Sequence, residues 1–390
     1  MEDKDVVKKI MKKSISLEGF ISMILFITFF FLMGRQMGTS NMFNTIMNTS
    51  HKLLLNTVFF IMGIAVIAGA LAALLSEFGV ISIINKILSP LMRPLYDLPG
   101  AAALGIVTTY LSDNPAIITL ADDKGFKRYF KKYQIPALTN LGTSFGMGLI
   151  VTTFMMGQKS NTGEDFFLAA IIGNIGAFIG SIISVRIMLH FTKKHFGKEK
   201  WASEDAGNAI DSLKYREIRE GSIGSRILSS MLEGGKTGVD MGLSIIPGVL
   251  VICTLVLMIT NGPSPSGEYT GAAFEGVAVL PWVGSKLSFI IEPLLGFKNP
   301  EAIAFPITSL GAVGAAISLV PNFLERGLIG GNEIAVFTAM GMCWSGYLST
   351  HVAMMDALKC RSLTGKAILS HTIGGLSSGI SAHLIYVLLS

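Results

Sequence analysis

The chain has 390 residues, 51% of them hydrophobic and only 15% charged, against the roughly 25% charged content of ordinary soluble domains. Three cysteines (Cys253, Cys343, Cys360) at no metal-ligand spacing argue against a disulfide framework or a zinc site, and no phosphate loop or dinucleotide fingerprint points to an ATP-driven pump. The net charge of +5 lies in loop clusters rather than on a nucleic-acid face, so no nucleic-acid partner is expected.

Runs of about 20 apolar residues predict membrane-spanning helices. In chain order they cover 15–34, 54–81, 136–157, 165–191, 238–260, 333–357 and 367–389. Residues 1–34 have the lysine-rich start and apolar run of a signal sequence, but no small-residue cleavage site follows closely. Residues 1–53 are therefore predicted to be an uncleaved signal-anchor helix and an outer loop. Two further apolar regions, 98–121 and 299–323, carry Pro, Gly and polar residues near their middles and are predicted to be re-entrant.

Positive charge tests this topology, because Lys and Arg collect on the cytoplasmic side of short loops. With the N-terminus inside and the C-terminus outside, 24 Lys and Arg fall on the cytoplasmic face and 6 on the outer one. Letting the two interrupted segments cross would scatter these clusters. The expected location is the cytoplasmic membrane. Residues 192–236 mix nine basic with seven acidic residues and are predicted to be a solvated cytoplasmic linker.

Residues 54–191 and 237–390 carry the same order of features. Each has a long span, then an amphipathic stretch with a Pro-Leu pair (Pro90-Leu91, Pro293-Leu294), then a Pro-x-Ala step at Pro99 and Pro300. An interrupted segment and a span with a Thr-x-x-Gly step at Thr139 or Thr338 follow. Three crossings in each half make the halves antiparallel, the plan of many secondary transporters. The predicted fold is an all-α polytopic membrane protein of two inverted repeats, each with a re-entrant helical hairpin.

The chemistry concentrates at the interruptions. Ser112, Asp113, Asn114 and Pro115 stand roughly 16–22 Å along a helix from Gly100, near mid-membrane depth. Pro115 forces the helix open there, and an Asp at that depth is a functional candidate. These residues are also ordinary helix caps. Thr139, Asn140, Thr143 and Ser144 on the following span are candidates for contacting a solute or cation, or for hydrogen-bonding helices together. In the second half the candidates are Thr308 and Ser309 at the interruption, then Trp344, Ser345, Ser349 and Thr350 with Tyr347. An aromatic ring among small hydroxyls suits a planar solute. His351, Asp356, His371 and His383 are ionisable residues in or near spans, and a histidine there could relay protons or simply be a satisfied core residue. No Ser-His-Asp order, metal-binding helix pair or paired-acid motif points to an enzyme.

The segments LLNTVFFIMGIAVIAGALAALLSEFGVISIINKILSPLMRPL (Leu54–Leu95) and EGGKTGVDMGLSIIPGVLVICTLVLMI (Glu233–Ile259) resemble the openings of the two halves of concentrative nucleoside transporters. The wider resemblance is to the nucleoside-recognition, or gate-domain, membrane proteins. Where those transporters have Gln-Thr-Glu at the first hairpin tip, this chain has Ser112-Asp113-Asn114. Their second-hairpin Asn-Glu pair is matched by Ala312 to Gly314, while Ser349 and Thr350 keep the hydroxyls of their later span. The resemblance implies a homo-oligomer in the bilayer and a small-molecule solute, with Na⁺ or H⁺ as coupling ion and no bound cofactor or metal. The expected function is ion-coupled secondary transport of a small polar, nucleoside- or nucleobase-like solute. The alternative is a gate-fold protein with an assembly or signalling role and no flux.

Overall fold

The computed structural model describes residues 13–161, 163–203 and 213–389. The expected basic cluster Lys4, Lys8, Lys9 and Lys12 and the middle of the 192–236 linker lie outside the described residues. Every regular element among those residues is helical, and six helices are long and apolar enough to cross a membrane. Many large apolar side chains on them are exposed, among them Phe26, Ile67, Leu232 and Leu388. In water such a surface would be costly; in lipid it is the natural solvent contact. The protein is a multi-pass, all-α membrane protein.

The first helix, α1 (Leu17–Met37), starts at Ser16, whose Oγ accepts from the Gly19 N–H at 3.4 Å. Gly38, at φ +81°, turns the chain directly into α2 (Thr39–Glu77). The expected outer loop up to residue 53 is thus a helix. Its polar side chains are occupied by a later loop: Asn41 Nδ2 donates to the Tyr269 carbonyl at 2.7 Å and Asn48 Nδ2 to that of Gly271 at 2.9 Å. The amphipathic α3 (Val80–Tyr96) follows, ending at Asp97 in the left-handed region.

Residues 98–123 are not one continuous helix. Helix α4 (Ala102–Leu111) stops at Ser112, and α5 (Ala116–Asp122) starts after Pro115. The two lie side by side, since a Cβ on Gly105 would stand 2.3 Å from Ile117 Cδ1. Each is too short to cross a bilayer at 1.5 Å per residue.

Two expected continuous spans are broken. Residues 136–157 form α6 (Ala137–Thr143) and α7 (Gly148–Met156), separated at Met147, which sits at φ +53°. Residues 333–357 likewise divide, as described below. Between these come α8 (Phe167–Phe196), with basic residues in its last turn opposing the helix dipole, and α9 (Ile223–Thr260). Helix α9 begins well inside the stretch expected to be linker. The start of the true linker lies against the first half, with Lys132 N–H donating to Lys200 O at 2.8 Å and Ala202 N–H to Phe130 O at 3.0 Å.

After short helices α10 (Val279–Lys286) and α11 (Ser288–Leu295), a second reversal joins α12 (Ala304–Ser309), α13 (Val313–Ile317) and α14 (Val320–Glu325). Then α15 (Gly331–Trp344) and α16 (Tyr347–Ala357) meet at Ser345-Gly346, and α17 (Thr364–Leu389) follows.

Two antiparallel helix pairs tie the halves together. In the α2–α9 pair Gly69 faces Gly234, Ala65 faces Gly238 and Met62 faces Gly242. Farther along, Ser50 Oγ meets Thr254 Oγ1 at 3.1 Å, and π-helical turns at Leu53–Val58 and Gly248–Cys253 lie against each other. In the α8–α17 pair Gly176, Gly180 and Gly374 let the backbones touch; a Cβ on Gly180 would stand 2.4 Å from the Gly374 carbonyl oxygen. Without a hydrophobic drive between helices in lipid, such close backbone contact supplies the attraction.

At the end of α2 the buried Glu77 carboxylate accepts from Arg226 Nε at 2.7 Å, Arg219 Nη1 at 2.6 Å and the Arg219 N–H at 3.1 Å. Arg219 also reaches the exposed Glu233 at 2.5 Å. Removing one partner of a buried ion pair leaves a charge uncompensated, so Glu77→Gln should lower Tm in detergent clearly more than Glu233→Gln. Gly238→Ala sets a methyl group 2.3 Å from the Ala65 carbonyl oxygen and should cost about 1–3 kcal/mol, read as a fall in Tm. Gly63→Ala, on the exposed side of α2 with nothing within 4 Å, should leave Tm unchanged or raise it.

Candidate functional site

Four interruptions of helix meet inside the protein: 112–115, 144–147, 309–312 and 345–346. Each frees backbone groups from i→i−4 bonding, and each finds its partner in another interruption. The Met147 N–H donates to Ser112 O at 3.2 Å in the first half, and the Gly346 N–H to Ser309 O at 2.9 Å in the second. Gly346 is at φ +72°, the conformation in which glycine has no steric penalty. Between halves, Asn114 Nδ2 donates to Ser345 O at 2.7 Å, and Ser345 Oγ donates to Gly146 O at 3.3 Å. Gly146 must lack a side chain, because a Cβ there would fall 1.5 Å from Asn114 Oδ1. Asn114 is 1% exposed and Ser345 5%. Asp113 is half-buried beside them and accepts the Asn114 N–H at 2.7 Å.

Several expected site hydroxyls are occupied by their own helices. Thr143 donates to Thr139 O at 2.9 Å, Ser144 to Asn140 O at 2.8 Å, Thr308 to Ala304 O at 2.7 Å and Ser309 to Pro306 O at 2.9 Å. Thr350 does the same to Gly346 O at 3.2 Å. These bonds satisfy the hydroxyl hydrogens and relax the helices at the breaks. The side chain of Ser349 lies outside the described residues.

Other buried polar atoms have no close hydrogen-bond partner among the described residues: Asn114 Oδ1, Thr139 Oγ1, Asn140 Oδ1, Trp344 Nε1 and both ring nitrogens of His351. Asn140 Nδ2 donates to Ser184 Oγ at 3.0 Å, and Ser184 Oγ lies 2.9 Å from His371 Nδ1. The rings of Trp344, Tyr347, His351 and His371 pack as one group, with centroid separations from 4.6 to 6.2 Å along it. The arrangement combines aromatic faces with unpaired donors and acceptors, which can orient a small polar molecule.

Gly146, Gly346 and Ser184 were absent from the sequence-based candidates. Gly146 and Ser184 had a detectable signal in the small-residue spacing of their helices, Gly142-Gly146 and Gly180-Ser184. A cavity of about 130 Å³ lined by Glu164, Asp165, Leu168, Ala169, Ile172 and Tyr386 contains none of the candidate residues.

No family model matches the chain. An uncharacterized protein of Alkalihalophilus pseudofirmus is 26% identical over 298 residues, 72% of this chain. The chain spans 58% of the length of that curated relative. Among solved structures, the concentrative nucleoside transporter CNTnw is similar in two states. A doubly substituted form in an outward-facing state matches with TM-score 0.58 at 14% identity, covering 95% of this chain and 85% of that one. CNTnw in an inward-facing substrate-bound state matches with TM-score 0.54, again at 14% identity and the same coverage. At these identities the likeness is one of fold.

Asn114→Ala removes the bond to Ser345 O and should cost about 1–3 kcal/mol of stability. Gly146→Ala should cost a similar amount by displacing Asn114. In the double variant the alanine methyl occupies the space the amide has left. The two losses should therefore sum to more than the double variant's, a coupling measured by a thermal double-mutant cycle.

Proposed function

We propose that the chain is a secondary membrane transporter for a small polar solute, driven by an ion gradient. The observation that carries this reading is the meeting of four helix breaks in the protein interior, with unpaired polar atoms around them. Unsatisfied polar groups in a lipid-embedded core are costly, and a solute with matching groups relieves that cost. The fold shared with CNTnw supports the same reading.

In this proposal residues 54–191 and 237–390 are two inverted gate repeats, and residues 1–53 add a peripheral anchor. Within 192–236, the residues between α8 and α9 form a cytoplasmic linker, with the N-terminus inside and the C-terminus outside. Ser112, Asp113 and Asn114 line the site from the first half, with Thr139 and Asn140 behind them. Trp344 and Ser345 line it from the second, and Thr143, Ser144, Thr308, Ser309, Ser349 and Thr350 complete the breaks. The aromatic group of Trp344 and Tyr347 favours a planar solute of nucleoside or nucleobase type. Alternating access follows if the interruptions act as hinges: the bonds Asn114–Ser345 and Ser345–Gly146 bridge the halves and must exchange when the site opens. Asp113 is half-buried, and among the described residues its carboxylate accepts the next backbone N–H, which leaves it the polar group freest to meet a solute donor.

Proteoliposome uptake of a panel of nucleosides, nucleobases and small polar solutes tests this. Gradient-driven accumulation of at least one solute is expected, with Asp113→Ala at least tenfold slower at equal reconstitution. Absence of flux for the whole panel, with a stable protein partner recovered instead, would favour an assembly role.

A further inference from the structure

The aromatic group beside the breaks contains two buried imidazoles in different chemical situations. His371 is fully committed. Its Nε2 meets the Cys343 carbonyl, which can only accept, so Nε2 carries the hydrogen. Its Nδ1 is then the bare nitrogen and accepts from Ser184 Oγ at 2.9 Å. Ser184 Oγ in turn accepts from Asn140 Nδ2 at 3.0 Å. This chain of directed bonds fixes the tautomer of the neutral His371 ring.

His351 is the opposite case. Its ring is 0% exposed, lies 4.6 Å from the His371 ring and edge-on to Tyr347; the Tyr347 carbonyl one turn back acts on it from a distance, and neither nitrogen is closely hydrogen-bonded among the described residues. One of those nitrogens must carry a lone pair. The elements packed most closely on α16 are α6, α17 and the short turn Arg361–Leu363. Helix α6 brings no titratable group, α17 carries His371 together with Lys366, His383 and Tyr386, and the turn carries Arg361; α16 itself carries Tyr347 and Asp356. A hard metal cation takes a shell of oxygen ligands, which this nitrogen and aromatic surround does not offer. An imidazole lone pair takes a proton in the physiological range.

We propose that His351 is the proton-loading site of the protein, with His371 as its locked neutral neighbour, so that the ion driving transport is H⁺. The proton passes from water on one side to the bare nitrogen of His351, giving an imidazolium, and leaves from the same nitrogen to water on the other. In the packing observed, a bare imidazolium has no counter-charge, and burying one is costly. Loading therefore goes with separation of α16 from α17. Because α16 begins at Gly346, that movement pulls on the break itself, which couples proton to solute.

This inference rests on the transport reading, and two measurements keep them separable. The first needs no solute: nitrogen NMR of ¹⁵N-histidine-labelled full-length protein in lipid bilayers, titrated from about pH 8 to about pH 5, across the histidine range. One resonance, absent in His351→Gln, should pass from neutral to imidazolium, while that of His371 stays neutral with hydrogen on Nε2. A His351 resonance still neutral at the acid end overturns the proposal. The second is uptake: His351→Gln should lose acid-driven accumulation at least tenfold at equal reconstitution. Acid-driven accumulation retained in that variant, or accumulation in the native protein that follows Na⁺ alone, also overturns it. Absence of any flux refutes the transport reading and leaves the first measurement to decide the proton site.

Discussion

Interrupting a helix inside an apolar medium exposes backbone groups that water cannot satisfy, and this protein does so four times within one small volume. Satisfaction comes from matching the breaks to each other. Ser112 and Ser309 supply carbonyls to Met147 and Gly346, and Asn114 supplies an amide to Ser345. Each bond lies where a helix ladder is missing, so none can be lost without orphaning a buried group that would cost about 1–3 kcal/mol. The surrounding helices are arranged to permit that meeting.

The long helices serve it from two sides. The α2–α9 and α8–α17 pairs bring backbone to backbone through glycine, so little side-chain volume separates the halves. Against these rigid pairs the broken helices are short: 7 and 9 residues in α6 and α7, 14 and 11 in α15 and α16. Short helices joined at a positive-φ residue can pivot there without unfolding. Rigid pairs around pivoting centres are what a conformational cycle requires.

Much of this was legible in the residues, and the exceptions have physical reasons. The long spans follow from apolar length alone, and the first interruption from Pro115, whose ring disallows helix at the preceding residue. The breaks at Met147 and Ser345-Gly346 were not legible, because their surroundings read as continuous apolar helix. What opens them is a hydrogen-bond partner some 35 residues away in the chain, Ser112 or Ser309. Residues 39–52 looked like a loop because they are rich in Asn, Ser and Thr. They are helical since a distant loop at 269–271 takes up their amides. The hydroxyls of Thr143, Ser144, Thr308 and Ser309 were legible beside the interruptions, while the carbonyl of its own helix to which each donates is visible only in the structure. The buried imidazoles emerge as a pair only when α16 and α17 are seen side by side.

The glycine seams have a bearing on biogenesis. Each joins an element of residues 39–196 to one of residues 223–389, so neither stretch can complete these two seams by itself. As the polypeptide leaves the ribosome, α2 and α8 enter the bilayer with their smooth faces uncovered. They stay that way until α9 and then α17 are inserted. The interior is sealed only once α17 is in place, and any nascent chain stopped short of it presents the insertion machinery with a half-built groove.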